Sequence, residues 1–153
     1  FREDFRPFAP SVLAEDAAIY FDCNYASPHM LLTAPVREEW LEKIPAVVHQ
    51  DGSARIQTVT REQNADYYDL LTEFKARTGI GVLLNTSLNR RGMPIVETAK
   101  DALMLYMYCD IDILILNNFL VRKPPDFKMR MARLNEKVAR AGANAAFQKM
   151  MAG

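Results

Sequence analysis

Cysteine is scarce in this chain. Only Cys23 and Cys109 occur in 153 residues, and they form no Cys-x-x-Cys pair. That argues against a disulfide framework and for two reduced thiols in a cytoplasmic protein. His29 and His49 are the only histidines, and their spacing completes no metal site with those thiols. Net charge is also missing: the 19 basic and 19 acidic residues cancel. The overall balance therefore gives no argument for nucleic acid or an anionic membrane as partner. No apolar run approaches the roughly 20 residues of a membrane-spanning helix. The longest, Ile111–Leu116, is broken by Asp112. No signal peptide is visible at the start. The chain begins at Phe1 inside dense sequence, which reads as a piece of something longer. There is no Gly-x-x-x-x-Gly-Lys-Ser/Thr loop, no Gly-x-Ser-x-Gly elbow and no obvious carboxylate pair for acid–base work. Internal repeats and low-complexity segments are absent too.

What is present is ordinary globular composition: half the residues are hydrophobic and a quarter charged. The length fits one domain with a core of its own. Pro7 and Pro10 interrupt the opening, after which Ala9–Leu13 reads as a strand and Ala14–Phe21 as helix-prone. Met30–Ala34 reads as a strand and Glu38–Lys43 as a short helical turn. Asp51-Gly52 separates two strand-like runs, Ala46–His49 and Ala54–Val59, and predicts a hairpin. In the second run Arg55, Gln57 and Val59 share one face. Tyr67, Leu70, Leu71 and Phe74 recur at helical spacing in Asp66–Thr78, which Gly79 stops. The strand Val82–Leu84 follows. Gly92–Val96 reads as a turn into extended chain, and Thr98 caps a helix to Tyr108. Asp112–Val121 reads as a strand pair or as one strand with a bend at Asn117-Asn118. Asp126 caps a basic helix to about Met150, which suits either an anionic surface or packing as a tail on its own domain. This alternation predicts an α/β domain with a mixed sheet.

Val82–Asn89, VLLNTSLN, is the most pointed stretch. Its apolar half anchors a strand. Asn85, Thr86, Ser87 and Asn89 then present small hydrogen-bonding groups at the carboxyl end, where open α/β sheets bind ligands. A capped turn is the plain alternative. Arg2, Arg6 and Arg55 carry fixed charge and a planar fork suited to phosphate or carboxylate. Arg2 and Arg6 stand beside Glu3 and Asp4, which could simply neutralise them.

Four segments together resemble the C-terminal domain of the O-carbamoyltransferases, the nodulation protein U and antibiotic carbamoyltransferase type. They are RxxxRPFAPS (Arg2 to Ser11), PAVVHQDGSARIQTV (Pro45 to Val59), VLLNTSLN and GMPIVETAKDAL (Gly92 to Leu103). They fall in the family's order across most of residues 1–121, while residues 122–153 carry no assignable motif. The resemblance implies a YrdC-like fold, a twisted mixed sheet with flanking helices around a concave nucleotide or anion site. It implies that this domain forms carbamoyl adenylate from carbamoyl phosphate and ATP with Mg²⁺. A separate N-terminal actin-like ATPase-type domain, outside this chain and holding its own metal, would pass the carbamoyl group to a hydroxyl acceptor.

By the same resemblance, Ser87-Leu88-Asn89 matches the Ser-x-Asn half of the YrdC-like signature, and Arg2 the arginine of its Lys-x-Arg half. The lysine would fall immediately before Phe1. Arg6, Arg55 and Ser87 are implied in catalysis. Arg2, Ser11, His49, Ser53, Asn85 and Asn89 are implied in binding substrate or nucleotide, and no metal ligand is implied in this chain. Met93 stands where family members often carry an acidic residue. Two other readings stay open: a non-catalytic nucleotide-binding or docking module of the same protein, and a YrdC-type RNA-modification or RNA-binding domain, which zero net charge disfavours. A homodimer is compatible with each.

Overall fold

The computed structural model describes residues 8–90 and 92–151. Its backbone packs as two compact units that divide between Ser87 and Leu88. Among the described residues the architecture is mixed α/β, with four α-helices and three small sheets of three, two and two strands.

The first unit is built on β1, Ala9–Leu13, whose five residues are all buried. It lies between β4 (Gln57–Val59), parallel to it, and β5 (Val82–Asn85), antiparallel to it. Pro10 is tolerated because pairing with β4 begins only at Ser11, so no partner on that side needs the missing N–H. Alternation then sorts the side chains. One face carries Leu13, Val59 and Leu83 against Leu71, Tyr67 and Tyr68 of α2 (Ala65–Thr78). The other carries Val12 and Val82 into a larger cluster with Tyr20, Phe21 and Ile56. Asn64 caps α2 by accepting from the Tyr67 amide at 3.0 Å, and Gly79 ends it in the left-handed conformation at φ +76. Leu71 alone is fully buried in this helix, whereas Leu70 is 53% exposed, so the apolar stripe is narrower than its spacing predicts.

The expected hairpin is not formed as drawn. Pro45–Val47 is a turn of 3-10 helix, and Ala54–Val59 divides at Ile56 into two strands. β3 (Ser53–Arg55) pairs antiparallel with β2 (Thr33–Pro35), while β4 joins β1. The turn itself survives: the His49 amide donates to the Ser53 carbonyl at 2.7 Å, and the Gly52 amide to the His49 carbonyl at 3.0 Å. Mixed pairing thus comes from β1. The strand expected at Met30–Ala34 begins only at Thr33, since Met30 has φ +54. Ala14–Phe21 is a 3-10 turn, Ala14–Asp16, followed by α1 (Ala17–Tyr20).

In the second unit α3 (Ala99–Tyr108) is capped by Thr98, as expected. Its Ala102 and Tyr106 pack on Leu114 of the β6–β7 hairpin, Ile113–Leu116 and Phe119–Arg122. Asn117 takes φ +49 at the hairpin turn. No strand forms in Gly92–Val96. The helix α4 (Phe127–Met151) is exposed at nearly every residue from Lys128 to Gly142. Cys23 and Cys109 are unpaired.

Candidate functional site

The face of the three-stranded sheet that α2 covers continues into a polar patch. Ser11, Gln57 and Asn85 alternate in register with Leu13, Val59 and Leu83 on β1, β4 and β5. Ser11 is fully buried, and its Oγ donates to Gln57 Oε1 at 2.6 Å. Asn85 Nδ2 donates to the same oxygen at 2.6 Å. Gln57 Nε2 donates to the Pro28 carbonyl at 3.2 Å.

That last bond sets the orientation of all three. A carbonyl oxygen only accepts, so Gln57 must turn its amino group to Pro28 and its oxygen to Ser11 and Asn85. Asn85 must then turn its own amino group inward, which leaves Oδ1 as the outward atom. Beneath the patch, Ser27 Oγ donates to the Ile56 carbonyl and Thr58 Oγ1 accepts from the Ser27 amide. Among the described residues no buried side-chain nitrogen or oxygen lacks a partner.

A second cluster occupies the turn before β3. Ser53 Oγ donates to Asp51 Oδ1 at 2.7 Å, and the Ser53 amide donates to the same oxygen at 2.9 Å. His49 Nδ1 lies 3.2 Å from Ser53 Oγ. The single hydroxyl proton is committed to Asp51, so the proton between Ser53 and His49 belongs to Nδ1. The hydroxyl and amide of Ser53, followed by the charge of His49, hold the Asp51 carboxyl below the usual carboxylate range. Because serine donates to the carboxylate and not to the histidine, this is not a nucleophilic triad.

Arg55 follows on the outer face of β3, opposite Thr33 and two residues beyond Ser53. It is exposed, and among the described residues its guanidinium pairs with no carboxylate. Ser87 is exposed two residues beyond Asn85, a Cα separation of about 6–7 Å in extended chain. Asn89 belongs to the second unit, where its Nδ2 donates to the Met93 carbonyl at 3.0 Å and braces the turn. That turn and α3 enclose a largely apolar cavity of about 330 Å³, lined by Arg90, Met93, Ile95, Met104 and Tyr108 among others. Arg90 donates to the Tyr108 carbonyl at 2.9 Å. Arg2 and Arg6 lie outside the described residues.

The structure therefore joins Ser11 to Asn85 and His49 to Ser53. Gln57, which links the first pair, was seen in the sequence only as a face-mate of Arg55. Its position between two polar strand ends depends on the parallel β1–β4 register, which no local pattern carries. The groups present are hydroxyl, amide and guanidinium, which are of a kind that can meet an anion. Among the described residues no three His, Cys, Asp or Glu side chains converge to hold a metal. No described helix is long and apolar enough to cross a membrane.

A family model described as "Carbamoyltransferase C-terminus" matches residues 1–123, a span that contains every candidate residue above. Nodulation protein NolO of Bradyrhizobium diazoefficiens is 44% identical over 127 residues, which is 81% of this chain and 23% of that protein. Nodulation protein U of Rhizobium tropici is 48% identical over 102 residues, covering 67% and 18%. The 3'-hydroxymethylcephem-O-carbamoyltransferase of Streptomyces clavuligerus is 44% identical over 109 residues, covering 71% and 20%. The chain thus spans about a fifth of the length of these relatives.

Proposed function

Because the chain belongs to the family of carbamoyltransferase C-terminal domains, we propose that it binds carbamoyl phosphate and ATP and forms the activated carbamoyl group. The observation that carries this is the exposed guanidinium of Arg55, without a carboxylate partner among the described residues, on the strand that follows the His49–Ser53 turn within the matched span. Carbamoyl phosphate gives up its phosphate to water and leaves carbamate. A carbamate oxygen then attacks the α-phosphorus of ATP and expels pyrophosphate, giving carbamoyl adenylate.

Negative charge accumulates at the attacked phosphorus. Arg55 and the Ser87 hydroxyl offset it, and Arg2 and Arg6 belong to the same set. His49 and Ser53 border the phosphates and Asn85 the acyl end, while Ser11, fully buried with its hydroxyl on Gln57, supports the site without touching the ligand. Asn89, in the second unit, is assigned to the nucleotide by the family resemblance alone. Mg²⁺ arrives bound to the triphosphate. The finer reading of the fold is a YrdC-like concave site in a cytoplasmic enzyme. Transfer to a hydroxyl acceptor belongs to an N-terminal actin-like domain within the remaining four fifths of such polypeptides.

The test is exchange of labelled pyrophosphate into ATP, dependent on carbamoyl phosphate. The protein should show it, and Arg55→Ala or Ser87→Ala should lower the rate about 10²–10³-fold. Exchange indifferent to both substitutions would sink the site. The second reading, a non-catalytic nucleotide-binding or docking module, is favoured by α4, an exposed helix beyond the family match. Nucleotide binding without any exchange is its signature.

A further inference from the structure

Carbamoyl phosphate and acetyl phosphate have the same shape, and they differ in one group: an amino group that donates two hydrogen bonds stands where the other has a methyl. A domain that takes the first must read that difference, and a guanidinium on the phosphate cannot. An acceptor beside the acyl carbon can. We propose that Asn85 Oδ1 is this acceptor and that Gln57 is the residue that aims it; the inference rests on the carbamoyl phosphate reading above.

The orientation argument stands on geometry. Asn85 Nδ2 is tied to Gln57 Oε1 at 2.6 Å, and Gln57 cannot flip because its Nε2 is tied to the Pro28 carbonyl. Ser11 Oγ donates to the same Gln57 oxygen at 2.6 Å from a fully buried position, and a flipped Gln57 would set its own oxygen against the Pro28 carbonyl, which can only accept. The three bonds span β1, β4 and β5. They fix an asparagine amide that would otherwise rotate to offer either donor or acceptor. Asn85 is half-buried and ends β5, two residues before Ser87. That spacing, about 6–7 Å between Cα atoms, allows one ligand to touch Oδ1 at its amino end and the serine hydroxyl at its phosphate end. Because the acceptor is pre-set, a methyl group in its place leaves it without a donor.

Phosphonoacetamide and acetonylphosphonate are stable mimics of the two acyl phosphates, and calorimetric titration of both, with carbamoyl phosphate alongside, tests the proposal. The full chain should bind phosphonoacetamide about ten- to a hundredfold tighter than acetonylphosphonate. Asn85→Ala should bring the two to equal affinity. Asn85→Asp retains an outward acceptor but loses the bond to Gln57, so it should weaken both ligands by charge and leave a reduced preference for phosphonoacetamide that Asn85→Ala does not have. Gln57→Met should keep binding of both but erode the ratio, which a merely structural role would not do. Equal wild-type affinities, an undiminished ratio in Asn85→Ala, or a lost ratio in Asn85→Asp would overturn the inference while leaving the carbamoyl reading standing. If Asn85→Ala does not fold, the Asn85→Asp ratio decides. Failure of the wild type to bind carbamoyl phosphate would overturn the functional reading itself, and this inference with it.

Discussion

Gln57→Leu removes one oxygen and strands two donors, one of them the fully buried Ser11 hydroxyl. Leaving a buried donor unsatisfied costs about 1–3 kcal/mol, so the urea midpoint should fall accordingly. Asp51 gives the opposite case, an exposed carboxylate whose effect is on local order. Its folded pKa is depressed, by the Ser53 hydroxyl first. The contribution is therefore complete above the ordinary carboxylate pKa and disappears as pH falls through the lower folded value. The Ser53 amide resonance should hold its position through the usual carboxylate range and shift only at more acid pH. A shift centred on the ordinary value would contradict the hydrogen bonds. Asp51→Asn should remove the titration. In the sequence His49 and Ser53 could be marked as site lining, but the hydroxyl's direction of donation could not. It depends on whether an adjacent side chain bends back, which composition does not encode.

Among the elements, α2 is held to the sheet chiefly by Leu71, with Lys75 and Asp16 joined at 2.6 Å beside it. Leu71→Ala should cost about 2–5 kcal/mol in chemical denaturation, whereas Leu70→Ala, at a half-exposed position, should cost far less. Helix α2, though its Asn64 cap was not marked in the sequence, was legible with its glycine stop because such stops and periodicity act within one turn. So were α3, the strands β1 and β5, and the bend between β6 and β7. The division of Ala54–Val59 was not legible. Alternation runs unbroken through Ile56, and the break arises because the two halves pair with different strands. Ala46–His49 looked like a strand, yet Pro45 starts a 3-10 turn there with its ring at the first position. Local rules thus recovered most elements, and pairing with distant partners accounts for the missed division at Ile56.

For the whole molecule, the family match stops at residue 123 and α4 begins at Phe127. The described part of that helix buries little, so truncation after Pro125 should lower far-UV ellipticity while leaving the unfolding midpoint within about 0.5 kcal/mol. A larger loss would mean that the helix packs where its exposure says it does not. The sequence offered both an anionic surface and tail packing for this helix. Its cationic residues Arg133, Lys137 and Arg140 pair with no carboxylate among the described residues. The proposed carbamoyl chemistry came only through resemblance, because neither pattern nor packing in this chain encodes an acceptor.

The central strand also constrains the order of events during synthesis. Within its unit β1 is made before its partners: its parallel neighbour is joined to it across 46 residues and its antiparallel neighbour lies near the end of the unit. Its five buried residues therefore remain without a complete sheet until the ribosome has released chain well beyond Asn85. Closing such long loops is entropically slow, so the unit should gain its native hydrogen bonds late and together, and a nascent chain stalled before β5 should be sensitive to protease.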